Sequence, residues 1–287
     1  MLLRSGKAER LPYSLSRWTD LPAAKWEWFK AQLAQGKMVA FDPRTAVPAE
    51  WSLRPEDTLG LIFWTKNPEN LIQHSVALQP YHVVIHMTLT GWEEVEKGAP
   101  SLDDGLQLLE RAVAAFGTEH VVWRFSPVPL VPDVIERFEK MAARISKTGL
   151  KEVFVAFLQE NDLLPETRPQ RVRLELLKQM AIRSHGLTIR LCADDKATLG
   201  NAPCPGNLRH GICESGDRFV TERPQGRAEQ IMQSLSVAKE DCGCCLAVDP
   251  FTINETCTFG CAYCYAADKS LAPKKRNTTK NSLPMVP

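Results

Sequence analysis

The chain has 287 residues, 44% hydrophobic and 24% charged, which is enough apolar material for a sizeable core in the size range of one α/β barrel. Its formal net charge of +1 offers no global attraction to nucleic acid or an acidic membrane. No apolar run reaches membrane-spanning length, and the first residues lack the apolar core of a signal peptide. A cytoplasmic protein is expected, whose nine cysteines serve as metal ligands rather than as a disulfide framework.

In chain order, LPAAKWEWFKAQLAQG predicts a helix with Trp26, Phe29 and Leu33 on one face, Pro22 in the first turn and Gly36 at the exit. MVAFDPRTAVPAEWSL is expected to form a hairpin or an irregular insertion. LGLIFWTKNP reads as a buried strand stopped by Asn67-Pro68, and PENLIQHSVALQ as a helix. A strand over HVVIHMTLTG, a helix over SLDDGLQLLERAVAAFG and a strand over HVVWRFSPVP follow. The next helix starts near Asp133 and stacks Val134, Phe138, Met141 and Ile145 before Gly149 ends it. KEVFVAFLQ, a helix around VRLELLKQMAIRSHG and LTIRLCADD complete the pattern.

Strands that alternate with helices predict parallel β-α units, and so many in one chain favour a partial or complete (β/α) barrel. An open doubly wound sheet is the alternative, because periodicity does not separate the two. Residues 1–200 are expected to form the barrel body. From 201 to 245 the chain is rich in Gly, Pro and Cys, with one predicted helix over GRAEQIMQSLSVAK, and needs the barrel or a metal to hold it. Residues 246–270 are expected to add a strand and a cysteine loop to the same barrel, and 271–287 a flexible tail. Polar residues close several predicted strands: Thr19 and Asp20, Thr65 and Lys66, Thr88 and Thr90, Arg124 and Ser126, Cys192 and Asp194. In parallel α/β folds these ends form the active face, although strand ends are also polar where they are merely solvated.

The loop NETCTFGCAYCYA carries Cys257, Cys261 and Cys264 as C-x3-C-x2-C. A C-x2-C pair alone fits zinc ribbons, redox dithiols and clusters alike. Structural zinc closes a four-ligand site, and a four-iron cubane is usually held by four cysteines. Three thiolates on one short loop would leave one iron of a cubane open for chemistry. Gly260 lets the loop turn tightly, and Tyr263 and Tyr265 would shield a cluster or a stacked ligand, with ordinary packing as the alternative.

TCTFGCAYCYA resembles the cluster loop of radical S-adenosylmethionine (SAM) enzymes, and its YCYA ending is similar to that of spore photoproduct lyase and its relatives. The resemblance implies a [4Fe–4S] cluster on Cys257, Cys261 and Cys264, with SAM chelated by the open iron. Reductive cleavage of SAM would give a 5′-deoxyadenosyl radical that abstracts hydrogen from an unknown substrate. It further implies an electron donor such as flavodoxin or ferredoxin. Since the loop normally follows the first barrel strand, its place after LAVDPFTI implies a circular permutation in which the last strand occupies the first position. SRWTDLPA and IFWTKNPENL resemble the second and third strand regions of the lyase group.

The whole chain also resembles the bacterial domain-of-unknown-function family numbered eighteen forty-eight, through SRWTDLPA, FWTKNP, WRFSP, Cys192, Cys213-Glu214, Cys242-Gly243-Cys244 and the terminal loop. Trp18 stands where that family has arginine, and Phe125-Ser126 where it has an aromatic-aspartate pair. By this likeness Lys66 is expected to hold the SAM carboxylate, with Thr19, Thr88 and Tyr263 as further cofactor contacts and Arg124 as a clamp for SAM or for a substrate anion. A solvated strand-end lysine is the alternative for Lys66. Asp20 and His86 are expected either to handle protons or to be a helix cap and a satisfied barrel histidine. Cys192, Cys213, Cys242 and Cys244 are expected to hold a second [4Fe–4S] cluster, with zinc as the alternative, leaving Cys204 and Cys245 as extra thiols. A non-catalytic zinc or iron–sulfur protein and a lyase-like nucleic-acid repair or modification enzyme are the rival readings.

Overall fold

The computed structural model describes residues 11–16, 18–41, 47–158, 169–191, 207–210, 257–264 and 266. Cys192, Cys204, Cys213, Cys242, Cys244, Cys245 and Tyr265, the helix expected over GRAEQIMQSLSVAK and the expected tail lie outside the described residues. Seven strands form one sheet: β1 (Leu11–Ser14), β4 (Thr58–Thr65), β5 (Val83–Thr88), β6 (Val121–Phe125), β7 (Glu152–Val155), β8 (Thr188–Leu191) and β9 (Leu208–His210), in that spatial order. Every neighbouring pair is parallel. The insertion is a separate antiparallel hairpin, β2 (Lys37–Phe41) on β3 (Pro48–Ser52), as the first of its two expected forms.

Apart from the hairpin, spatial order follows chain order, so among the described residues the sheet has no switch point at which a doubly wound fold would reverse. Among the described residues β1 and β9 are its edges, and no pairing closes it into a barrel. β9 was not anticipated: a three-residue strand is too short to show a period, and it forms because Leu208 finds Ile189 as its neighbour on β8.

The helices form where their faces are apolar and their ends are capped. In α5 (Leu102–Phe116) the Ser101 hydroxyl accepts from the Asp104 amide, Asp103 and Asp104 favour the positive first turn, and Leu106, Leu109 and Ala112 are buried. α6 (Val134–Ile145) buries Val134, Phe138, Met141 and Ile145, the expected stripe, and a 3-10 turn carries the chain on to Gly149 at φ 91°. α7 (Gln170–Ile182) buries Leu177 and Met180. Two expected helices are interrupted. The first splits at Lys25 into α1 (Leu21–Ala24) and α2 (Trp26–Gln35), with Gly36 as the left-handed exit. The second splits at His74 into α3 (Glu69–Gln73) and α4 (Ser75–Leu78), where the His74 ring packs 5.0 Å from Trp26.

Alternation along the strands divides the sheet into two unlike faces. Tyr13, Leu61, Phe63, Val83 and Ile85, then Met87, Trp123, Phe125, Val153, Val155 and Ile189, belong to two apolar clusters shared with the helices. Their alternates, Ile62, Trp64, His86, Thr88, Arg124, Phe154 and Arg190, belong to neither cluster. Ile62, His86 and Phe154 are nevertheless buried, and Arg124 is 8% exposed. No helix among the described residues is long and apolar enough to cross a membrane.

Candidate functional site

The cysteine loop, residues 257–264, rests on the segment that follows β5. Gly98 N donates to Phe259 O at 2.9 Å, and Ala262 N donates to Val95 O at 2.9 Å. This seat depends on glycine: a Cβ on Gly98 would stand 2.5 Å from Thr258 O and 2.8 Å from Phe259 Cα, both backbone atoms that cannot swing aside. Gly260, at φ 58°, makes the turn expected of it, and Cys264 N closes the turn onto Cys261 O at 3.0 Å.

Beside this backbone seat lies a buried polar knot centred on Glu96, which is 7% exposed. Its Oε1 accepts from the Thr90 hydroxyl at 2.7 Å, pairs with Lys66 Nζ at 2.9 Å and takes a very short hydrogen bond from the Tyr263 hydroxyl. The Tyr263 ring lies flat against Trp92, 5.8 Å between centroids and 15° between planes, and Lys66 Nζ stands 5.7 Å from its centroid. Burial and the adjacent Glu96 carboxylate hold the Tyr263 phenol well above its ordinary pKa, so it stays a donor. Tyr263 is thus a tether for the loop. Lys66 is not a solvated strand-end lysine: its side chain is 10% exposed, and beyond the Glu96 pair its ammonium has no well-directed hydrogen bond among the described residues.

Asp20 joins the first strand region to the end of β4. Its carboxylate accepts from Thr65 Oγ1 at 2.7 Å, Lys66 N at 2.8 Å and Ala23 N at 3.2 Å, the last as the cap of α1. Burial pushes this carboxyl up to about 6 against those hydrogen bonds and the Lys66 charge. The capping alternative for Asp20 is what the structure shows. His86 is fully buried and stacks on Trp64 at 4.3 Å and 11°.

The three thiols are half-buried. Burial raises Cys257, whose sulfur is hydrogen-bonded by the backbone amides of Phe259 and Asp20. Burial also pushes Cys261 up to about 11, although the nearby Lys66 charge acts in the opposite direction. Cys264 raises Cys257 further, and Cys257 and Cys264 both raise Cys261, yet among the described residues no three His, Cys, Asp or Glu side chains converge as ligands of a single ion would.

Of the residues singled out in the sequence, Asp20, Lys66, Tyr263 and the three cysteines come together. Thr19 is buried one residue from Asp20. Thr88 and Arg124 are register neighbours on β5 and β6, on the face shared with Trp64 and His86. Thr90 comes from the expected strand-end series, whereas Trp92, Glu96 and Gly98 were not anticipated. GWEEVEKGAP carries three glutamates that look alike in sequence, and the only local signal was the glycine itself.

No curated protein matches the chain at a significant level. The model of the family described as "Domain of unknown function (DUF1848)" matches residues 13–266, a span that runs from β1 to the end of the cysteine loop. The chain therefore belongs to the DUF1848 family.

Proposed function

We propose that the protein is a radical SAM enzyme in which Cys257, Cys261 and Cys264 hold a [4Fe–4S] cluster with one open iron. The observation that carries this reading is where the loop lands. It sits beyond the C-terminal ends of β1, β4 and β5, against Asp20, Lys66 and Glu96, which is where parallel α/β folds build their active sites. The donor set fits a cubane. Thiolates bound to three different irons need not converge on one point, and backbone amides already turned toward the Cys257 sulfur suit a thiolate ligand.

When bound, the cluster and SAM supply one-electron cleavage of SAM and hydrogen-atom abstraction. The chain's own residues seat and orient the loop. Gly98 and Val95 hold its backbone, and Glu96 gathers Lys66, Thr90 and Tyr263 around it. Trp92 covers the Tyr263 ring and helps to exclude water there. Lys66, Thr19, Thr88 and Tyr263 remain the proposed surroundings of SAM, and Arg124 is proposed to face either SAM or a substrate anion.

We read the sheet as a partial β/α barrel with permuted order. The unreversed order of the described strands supports this reading, as does the contact of the cysteine loop with Asp20, which follows β1, the first described strand. Flavodoxin or ferredoxin is proposed as the electron donor, and Cys192, Cys213, Cys242 and Cys244 as ligands of a second cluster.

The test is anaerobic reconstitution, reduction and incubation with SAM, followed by chromatography for 5′-deoxyadenosine and methionine. The wild-type chain is expected to form both, and Cys257→Ala, Cys261→Ala and Cys264→Ala are each expected to form neither. A reducible cluster that never yields 5′-deoxyadenosine refutes the assignment, and a colourless zinc-loaded protein establishes the non-catalytic rival.

A further inference from the structure

We infer that the sheet face turned away from the two apolar clusters binds an oxyanion, a carboxylate or phosphate carried by the substrate, on Arg124. Arg124 is the penultimate residue of β6 and is 8% exposed. Its Nη1 is buried and has no hydrogen-bond partner among the described residues. Other arginines have carboxylate partners: Arg190, on the same face, holds Glu152 at 2.8 Å, and Arg111, Arg137 and Arg144 hold Glu69, Glu94 and Glu110. Even buried Lys66 has Glu96. An unpaired buried charge is far more costly than a paired one, so Arg124 calls for a counter-charge that the described residues do not supply.

The surroundings define the shape of that ligand group. The guanidinium carbon lies 4.6 Å from the Trp64 ring centroid and 5.9 Å from that of Phe154. Trp64 is itself fixed by its stack on His86 and by its indole N–H bond to Ser14 Oγ at 3.1 Å. Rings lie against the guanidinium, and its planar fork of N–H donors matches a carboxylate or phosphate. Thr88, the register neighbour of Arg124 on β5, adds a hydroxyl on the same face. Trp64 lies two residues before Lys66, which stands beside the cysteine loop.

The site stands on this geometry and not on the cluster, so it is tested on the full-length chain without reductant. Inorganic phosphate and malonate are titrated against chloride at matched ionic strength, with thermal stability and tryptophan fluorescence as readouts. Saturable stabilisation by one or both is expected in the wild type. Its midpoint should rise tenfold or more in Arg124→Gln, as expected for loss of a charged hydrogen bond, less in Arg124→Lys and not at all in Arg190→Gln. Arg124→Met is expected to raise the melting temperature of the anion-free protein, because an unpaired buried charge is removed. No response beyond that of chloride, an unchanged midpoint in Arg124→Gln, or a lower melting temperature in Arg124→Met overturns the inference. A last titration with SAM separates the two sources of a carboxylate. Anion and SAM bound together support a substrate oxyanion, whereas mutual exclusion assigns Arg124 to SAM and overturns it. If SAM does not bind at all, the proposed enzyme fails while the anion site stands on its own titration.

Discussion

Gly98→Ala is expected to release the cysteine loop while leaving the sheet intact. The added methyl would lie 2.5 Å from Thr258 O, 2.8 Å from Phe259 Cα and 2.9 Å from Phe259 O, so the two backbones must separate. Overpacking of this kind costs about 1–3 kcal/mol. The separation also breaks the 2.9 Å bond from Gly98 N to Phe259 O, worth about 0.5–1.5 kcal/mol. Together these weaken loop docking by roughly ten- to a thousandfold. The assay is alkylation of the metal-free full-length chain with iodoacetamide, with Cys261 and Cys264 quantified by peptide mass spectrometry. Both should react faster by at least tenfold at an unchanged melting temperature.

Gly105→Ala is the control. Its Cβ would also approach within 2.5 Å, but of Leu89 Cδ1, a side-chain end that can rotate away, and the helix gains up to about 1 kcal/mol from alanine. Wild-type alkylation in Gly98→Ala would refute the reasoning. So would a fall in melting temperature that exposes every cysteine equally, since Gly98 would then serve the fold rather than the loop.

Glu96→Ala leaves Lys66 buried and unpaired and removes the acceptor of Thr90 and Tyr263. A loss of about 3–5 kcal/mol is expected in denaturant unfolding. Lys66→Met in the same chain should recover part of it, and additive losses would show that the pair is not coupled. Asp20→Ala orphans the Lys66 amide and the Thr65 hydroxyl, at about 1–3 kcal/mol for each buried donor, and Asp20→Asn should lose less; equal melting temperatures for the two variants would contradict this. A chain with Cys257, Cys261 and Cys264 all changed to alanine should retain about four irons if the other four cysteines hold a second cluster. Zinc in place of iron, or no metal, refutes that assignment.

The sequence alone determined the elements whose signal is local. Strand and helix alternation, the hairpin over residues 37–52 and the apolar stripe of α6 were legible because each rests on a period or a turn within one segment. The cysteine triplet was legible for the same reason: its spacing lies within eight residues. The interruptions at Lys25 and His74 were not, because both positions continue a helical pattern and only the final backbone shows the break. Nor could the two faces of the parallel strands be told apart, since both are buried and the runs read as continuously apolar. Only tertiary structure separated the Trp64, His86 and Arg124 face from the Phe63, Ile85 and Trp123 face.

Pairing partners show the limit most clearly. The three glutamates of GWEEVEKGAP are equivalent in sequence, yet Glu93 accepts from Leu102 N at the start of α5, Glu94 holds Arg137, and Glu96 is buried with Lys66. Those roles depend on groups brought from up to 167 positions away, in the case of Tyr263 and Glu96. An ionisable side chain's role is set by the charge and water around it, and the packed chain decides both.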